Sequence, residues 1–118
     1  MNFDSYTVAL LIRRPDAPSL PQGEADALQD AHMAHTADLH EKGHLLVAGP
    51  VSSDDQSGLC GFSILNVDPE RARALKEDDP AVRAGIYRIE AYPWILPAGI
   101  LHFTPGRLPR SMAEAFGR

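Results

Sequence analysis

An α+β fold with its elements in the order β-α-β-β-α-β is what this sequence predicts, and three features predict it. Residues 3–13 alternate with period two, the signature of a strand that presents one face to a core, and Ile86 to Tyr92 reads as a strand closed by Pro93. Glu24 to Lys42 contains no proline or glycine and is rich in alanine, which favours a long helix after the first strand. Asp68-Pro69-Glu70 is a compact helix start, and it stands between two further apolar runs.

The first strand runs from Phe3 to Arg13. Tyr6, Val8, Leu10 and Ile12 share one face, and Thr7, Ala9, Leu11 and Arg13 share the other. Pro15, Pro18, Pro21 and Gly23 then break the chain into a loop. In the following helix, Leu28, His32, His35 and Leu39 recur at spacings of four, three and four, so they form one stripe. Gly43 supplies a left-handed stop. A second strand, His44 to Ala48, ends at Gly49-Pro50, and Val51 to Gly58 reads as a hairpin-type loop. Leu59 to Val67 is the third strand. Asp68 caps a second helix that reaches about Lys76, Asp78-Asp79-Pro80 interrupts it, and a further turn ends at Gly85. Ile86 to Tyr92 is the fourth strand, closed by Pro93. This order is the split βαβ, or ferredoxin-like, plan, with both helices on one face of an antiparallel sheet.

The other face needs an explanation. Tyr6, Leu11, Phe62 and Ile89 cannot all point the same way, so neither face is uniformly polar. Pairing of two copies through the sheet would bury the surplus apolar surface. Residues 1–96 hold the whole plan. Residues 97–118 form a C-terminal extension, with a short strand expected at Gly99 to Phe103 and a helical turn capped by Ser111 up to Phe116. Such an extension is expected to pack on the domain or on a partner subunit.

At 118 residues the chain has room for one core. Hydrophobic residues at 44% and charged residues at 23% describe an ordinary globular protein. A net charge of -5 argues against a nucleic-acid partner, which would require a basic face. No apolar run approaches the ~20 residues that span a bilayer, and the N-terminus lacks a signal-peptide pattern, so no membrane role is expected. With a single cysteine, Cys60, no intrachain disulfide can form, which suits a reducing cytoplasm.

His32, His35, His40 and His44 lie within thirteen residues, and imidazole is the side chain that exchanges protons near neutral pH. A metal is not expected, because no H-E-x-x-H order and no cysteine pair accompanies them. His40 and His44 suit a helix C-terminus, where positive charge is favoured. His32 differs, since it interrupts an apolar stripe and must find a hydrogen-bond partner. By position alone a structural histidine is the simpler reading. Asp79 in turn reads as a turn cap, Tyr87 as a core aromatic and Cys60 as an inert buried thiol.

Two longer motifs change the weighting. Ala31-His32-Met33, followed by Glu41-Lys42-Gly43-His44-Leu45-Leu46-Val47-Ala48-Gly49-Pro50, resembles the YciI-like (YCII-related) pattern of a helix bearing "HL" and then "G-x-L-L-x-A-G-P". Asp79-Pro80-Ala81-Val82-Arg83-Ala84-Gly85-Ile86-Tyr87 is similar to that family's "D-P-x-V-x-A-G-V-Y", and Pro93-Trp94 matches the aromatic that often ends its last strand. The matches agree in order and span about Tyr6 to Trp94. Met33 replaces the usual leucine, and Gln29 stands where many relatives carry arginine.

The resemblance implies a subunit of a dimeric α+β barrel and a small-molecule enzyme with a His-Asp dyad, here His32 and Asp79. No cofactor and no metal are expected, and one relative of the family resembles a dehydrochlorinase of a chlorinated hydroxyquinol. His35, Gly49, Pro50 and Tyr87 are the expected substrate-binding residues. A dyad without a nucleophile suits proton abstraction, isomerisation or elimination. The alternative is a non-catalytic small-ligand binding module or accessory subunit on the same fold.

Overall fold

The computed structural model describes residues 1–53, 56–104 and 106–117. Its elements follow the expected order: β1 (Phe3–Arg13), α1 (Gln22–Glu41), β2 (Leu45–Pro50), β3 (Leu59–Leu65), α2 (Pro69–Glu77), α3 (Pro80–Arg83), β4 (Tyr87–Pro97) and α4 (Met112–Phe116). The four strands form one antiparallel sheet in the order β2-β3-β1-β4. The fold is the α+β, ferredoxin-like arrangement.

Local signals act as the sequence suggests. Asp68 caps α2 by accepting a hydrogen bond from the Arg71 N–H at 2.8 Å, with Pro69 in the first turn. Gly43 takes a φ of 83° after α1, and Gly85 takes 81° ahead of β4, values that favour glycine. The helix-facing side of the sheet carries Thr7, Ala9 and Leu11 from β1 opposite Leu65, Ser63 and Gly61 from β3. A cluster of Ala9, Leu39, Leu45, Leu65 and Ala72 joins β1, α1, β2, β3 and α2 into one core. Thr7 is buried there, and its hydroxyl donates to the Val67 carbonyl at 2.5 Å.

Four expectations need correction. α1 begins at Gln22 rather than Glu24, with Gly23 inside its first turn, because Pro21 has a φ of -55° suited to the residue that opens a helix. β2 continues through Gly49 and Pro50, which pair with Phe62 and Gly61. β4 runs through Pro93 to Pro97, and Pro93 lies opposite Thr7. Both prolines are tolerated because β2 and β4 are the sheet edges, where one side of the strand needs no donor. The strand expected at Gly99 to Phe103 is absent. After Pro97 the chain turns at Gly99, whose φ is 82° and whose N–H donates to Asp4 Oδ2 at 3.0 Å, so it leaves the sheet edge. Part of the expected Val51–Gly58 hairpin loop, Asp54 and Asp55, lies outside the described residues.

Among the described residues, no helix covers the far side of the sheet. By register, Tyr6, Val8 and Leu10 share that face with Phe62, Tyr92 and Trp94. Phe62 is 39% exposed, Tyr92 50% and Trp94 36%.

The C-terminal segment lies along α1. Arg110 bridges Asp38 at 2.6 Å and Glu41 at 3.3 Å, and the Met112 N–H donates to Asp30 at 2.8 Å. The Arg110 guanidinium holds the Asp38 carboxyl below its usual range, with burial opposing weakly. His40 clamps the arrangement through the Leu45 carbonyl at 2.9 Å and the Gly106 carbonyl at 3.2 Å.

Candidate functional site

Asp79 is fixed before it meets any partner from afar. It is the N-cap of α3, and its Oδ1 accepts the Ala81 N–H at 2.8 Å while Pro80 sets the first helical φ. The residue is completely buried. Its second oxygen, Oδ2, lies 2.5 Å from His32 Nδ1, joining residues 47 positions apart. A carboxylate can only accept, so Nδ1–H donates and Nε2 is left free of this bond. The His32 side chain is 15% exposed, so the pair is a buried anion bonded to a ring that reaches the surface of a cleft. Tyr87 stacks at a tilt of 49° with ring centroids 5.7 Å apart, bracing the imidazole.

The cleft has a volume of about 480 Å³ and lies between α1, the helix side of the sheet and the C-terminal segment. It lies within the size range of small-molecule sites. Of the residues expected to bind substrate, Gly49, Pro50 and Tyr87 line it with His32. His35 does not. Its Nε2–H donates to the Leu75 carbonyl at 3.0 Å, which ties α1 to α2, so its place on the helical stripe serves helix packing. Burial pushes the Tyr87 phenol above its usual range.

The clustered histidines do not act together. His32 bonds Asp79, His35 bonds Leu75 and His40 bonds Leu45, each on a separate partner. Among the described residues no three His, Cys, Asp or Glu side chains converge as a metal site would require. Cys60 lines the cleft wall, and its thiol donates to the Leu11 carbonyl at 3.3 Å. Burial pushes that thiol pKa up, away from reactivity.

Sequence reasoning missed two polar contributors to the cleft. Lys76 lines it and is only 4% exposed, and burial lowers its ammonium pKa while Asp79 opposes the shift. Its spacing of four from Ala72 on the buried stripe of α2 was the available signal. Ser63 also lines the cleft, and its buried hydroxyl has no hydrogen-bond partner among the described residues. It alternates inward with Gly61 and Leu65, which the strand period could have shown. Leu108, Met112 and Phe116 form an apolar wall from the C-terminal segment.

The family model of the YCII-related domain matches residues 7–95. Protein YciI of Escherichia coli O6:H1 is 37% identical over 79 aligned residues, covering 56% of this chain and 81% of that protein. Protein YciI of Shigella flexneri matches with the same figures. Among solved structures, a 5-chloro-2-hydroxyhydroquinone dehydrochlorinase from Burkholderia phenoliruptrix, in complex with 2,5-dihydroxybenzoquinone, aligns with TM-score 0.49 and 23% identity over 75% of this chain and 92% of its own. A dimeric protein of ferredoxin-like fold from Bacteroides fragilis aligns with TM-score 0.47 and 12% identity over 78% and 95%. No helix among the described residues is long and apolar enough to cross a membrane.

Proposed function

Because this chain belongs to the YCII-related domain family, we propose that it is a small-molecule enzyme in which His32 and Asp79 perform general acid/base chemistry. The observation that carries the reading is the 2.5 Å contact between His32 Nδ1 and a fully buried Asp79 carboxylate at the wall of a 480 Å³ cleft. Asp79 orients the ring and stabilises the imidazolium that forms when Nε2 takes a proton. The same Nε2–H then returns the proton to a neighbouring atom or to a leaving group. Proton abstraction, isomerisation and elimination, dehydrochlorination included, all fit a base that works without a covalent step. Gly49, Pro50 and Tyr87 shape the space beside the ring.

We place the working protein in the cytoplasm as a pair of chains joined through the open sheet face. Phe62, Tyr92 and Trp94 support the pairing, since a lone subunit leaves these large side chains in water. With no nucleic acid or membrane partner proposed, the ligand is a small organic molecule.

Solvent deuterium uptake into a panel of enolisable compounds (keto acids, lactones and hydroxyquinols), followed by NMR, tests the chemistry. His32→Gln and Asp79→Asn should each slow any exchange the protein catalyses by about 10²-fold or more. Exchange at the unaltered rate in folded variants would overturn the reading and favour a binding module.

A further inference from the structure

Lys76 is the buried titratable group that the acid/base reading leaves unused. It is 4% exposed, lines the same cleft as His32, and takes part in none of the ion pairs among the described residues. A buried ammonium without a counter-charge at bonding distance is costly, so burial shifts Lys76 toward its free-amine form. Asp79 is already bonded to His32 and to the Ala81 N–H, and the other titratable groups of the cleft, Tyr87 and Cys60, are held in their neutral forms by burial. Burial accordingly lowers the Lys76 pKa, with Asp79 opposing it.

A second observation points to a ligand in the same space. The Ser63 hydroxyl is buried, lines the cleft and has no hydrogen-bond partner among the described residues. An unsatisfied hydroxyl and a buried amine that line one cleft describe a place for a polar oxygen on a carbon that the amine can attack.

We infer that Lys76 is an amine nucleophile that captures small aldehydes or ketones as imines in the cleft beside His32. The amine lone pair forms the C–N bond as the carbonyl π pair moves to oxygen, which gains a proton and is held near Ser63. The nitrogen gives up a proton to leave a neutral carbinolamine; a second proton reaches its hydroxyl, the nitrogen lone pair expels that oxygen as water as the C–O bond breaks, and the iminium nitrogen gives up its remaining proton. Amine plus carbonyl therefore gives imine plus water, with no oxidant or reductant. Delivery of the proton to the departing oxygen by His32 rests on the acid/base role proposed above; attack by Lys76 does not.

The sequence holds two lysines, so the test has an internal reference in Lys42. The folded protein is treated with acetaldehyde and sodium cyanoborohydride near neutral pH, and ethylation is mapped by peptide mass spectrometry over time. Lys76 should be modified at least about tenfold faster than Lys42, a preference that disappears in urea. In His32→Gln, checked for fold by circular dichroism, modification of Lys76 should slow. Fast modification of Lys76 that His32→Gln leaves unchanged upholds the nucleophile and removes the histidine's part in imine formation. Modification of Lys42 at an equal or greater rate in the wild-type protein overturns the inference, while deuterium exchange still tests the dyad separately.

Discussion

Removing the Asp79 carboxylate should cost more than a surface substitution can, and the structure indicates how much. Asp79→Ala deletes two bonds from a fully buried group: the cap to the Ala81 N–H at 2.8 Å and the contact to His32 at 2.5 Å. A lost cap is worth about 1 kcal/mol, and a hydrogen bond to a charged group about 2 kcal/mol, so the expected loss is roughly 3 kcal/mol. For a chain of this length that lowers Tm by roughly 10 °C. Asp79→Asn keeps an oxygen for the cap and should lose about 2 kcal/mol, since it forfeits mainly the charge-assisted bond. His32→Ala should cost about 2 kcal/mol, because it leaves a buried carboxylate without its partner. Urea denaturation with a constant m-value reads all three. The double variant completes a cycle whose coupling energy should exceed about 1 kcal/mol. Independent, additive effects of the two substitutions would refute the pairing. So would an Asp79→Asn variant as stable as the wild type, which would reduce the aspartate to a helix cap.

Other consequences can be checked by the same or simpler methods. Lys76→Met removes a buried amine, so its stability relative to the wild type should be unchanged or higher at neutral pH. Between its lowered native pKa and its ordinary value of 10.5, the unfolded chain holds more proton at Lys76 than the folded one does. Wild-type stability should therefore rise with pH relative to Lys76→Met, by at most about 1.4 kcal/mol per pH unit, and a flat difference would contradict the burial of an ionisable amine. Gly43 and Gly58 both have positive φ, but only at Gly58 would a Cβ meet backbone, 2.8 Å from the Arg13 carbonyl oxygen. Gly43→Ala should cost about 1 kcal/mol and Gly58→Ala distinctly more in urea melts; equal losses would show that the clash relaxes freely. Phe62→Asp on the open sheet face should convert the proposed pair of chains to single subunits in analytical ultracentrifugation, and an unchanged sedimentation coefficient would remove the sheet from the interface.

Much of the scaffold was legible because it depends on neighbours along the chain. Asp68-Pro69 starts α2, Gly43 follows α1, and the alternation of Thr7, Ala9 and Leu11 assigns one face of β1 to the core. The pairing of His32 with Asp79 was anticipated through motif resemblance, since no local rule joins residues 47 positions apart. His35 shows the limit of the same reasoning. Its helical stripe was right, and its partner, the Leu75 carbonyl, belongs to another element.

The sequence by itself determined the order of strands and helices and the caps that bound α2, α3 and α4, because propensity, capping and left-handed glycine are short-range effects. Tertiary structure alone decided that Pro93 sits within a strand, since only an edge position spares it a bonding partner. It also decided that Lys76 is enclosed beside the dyad and that Arg110 holds the C-terminal segment on Asp38, 72 residues away. Burial and long-range pairing depend on which surfaces meet after the chain collapses, and residue spacing along the chain does not encode them.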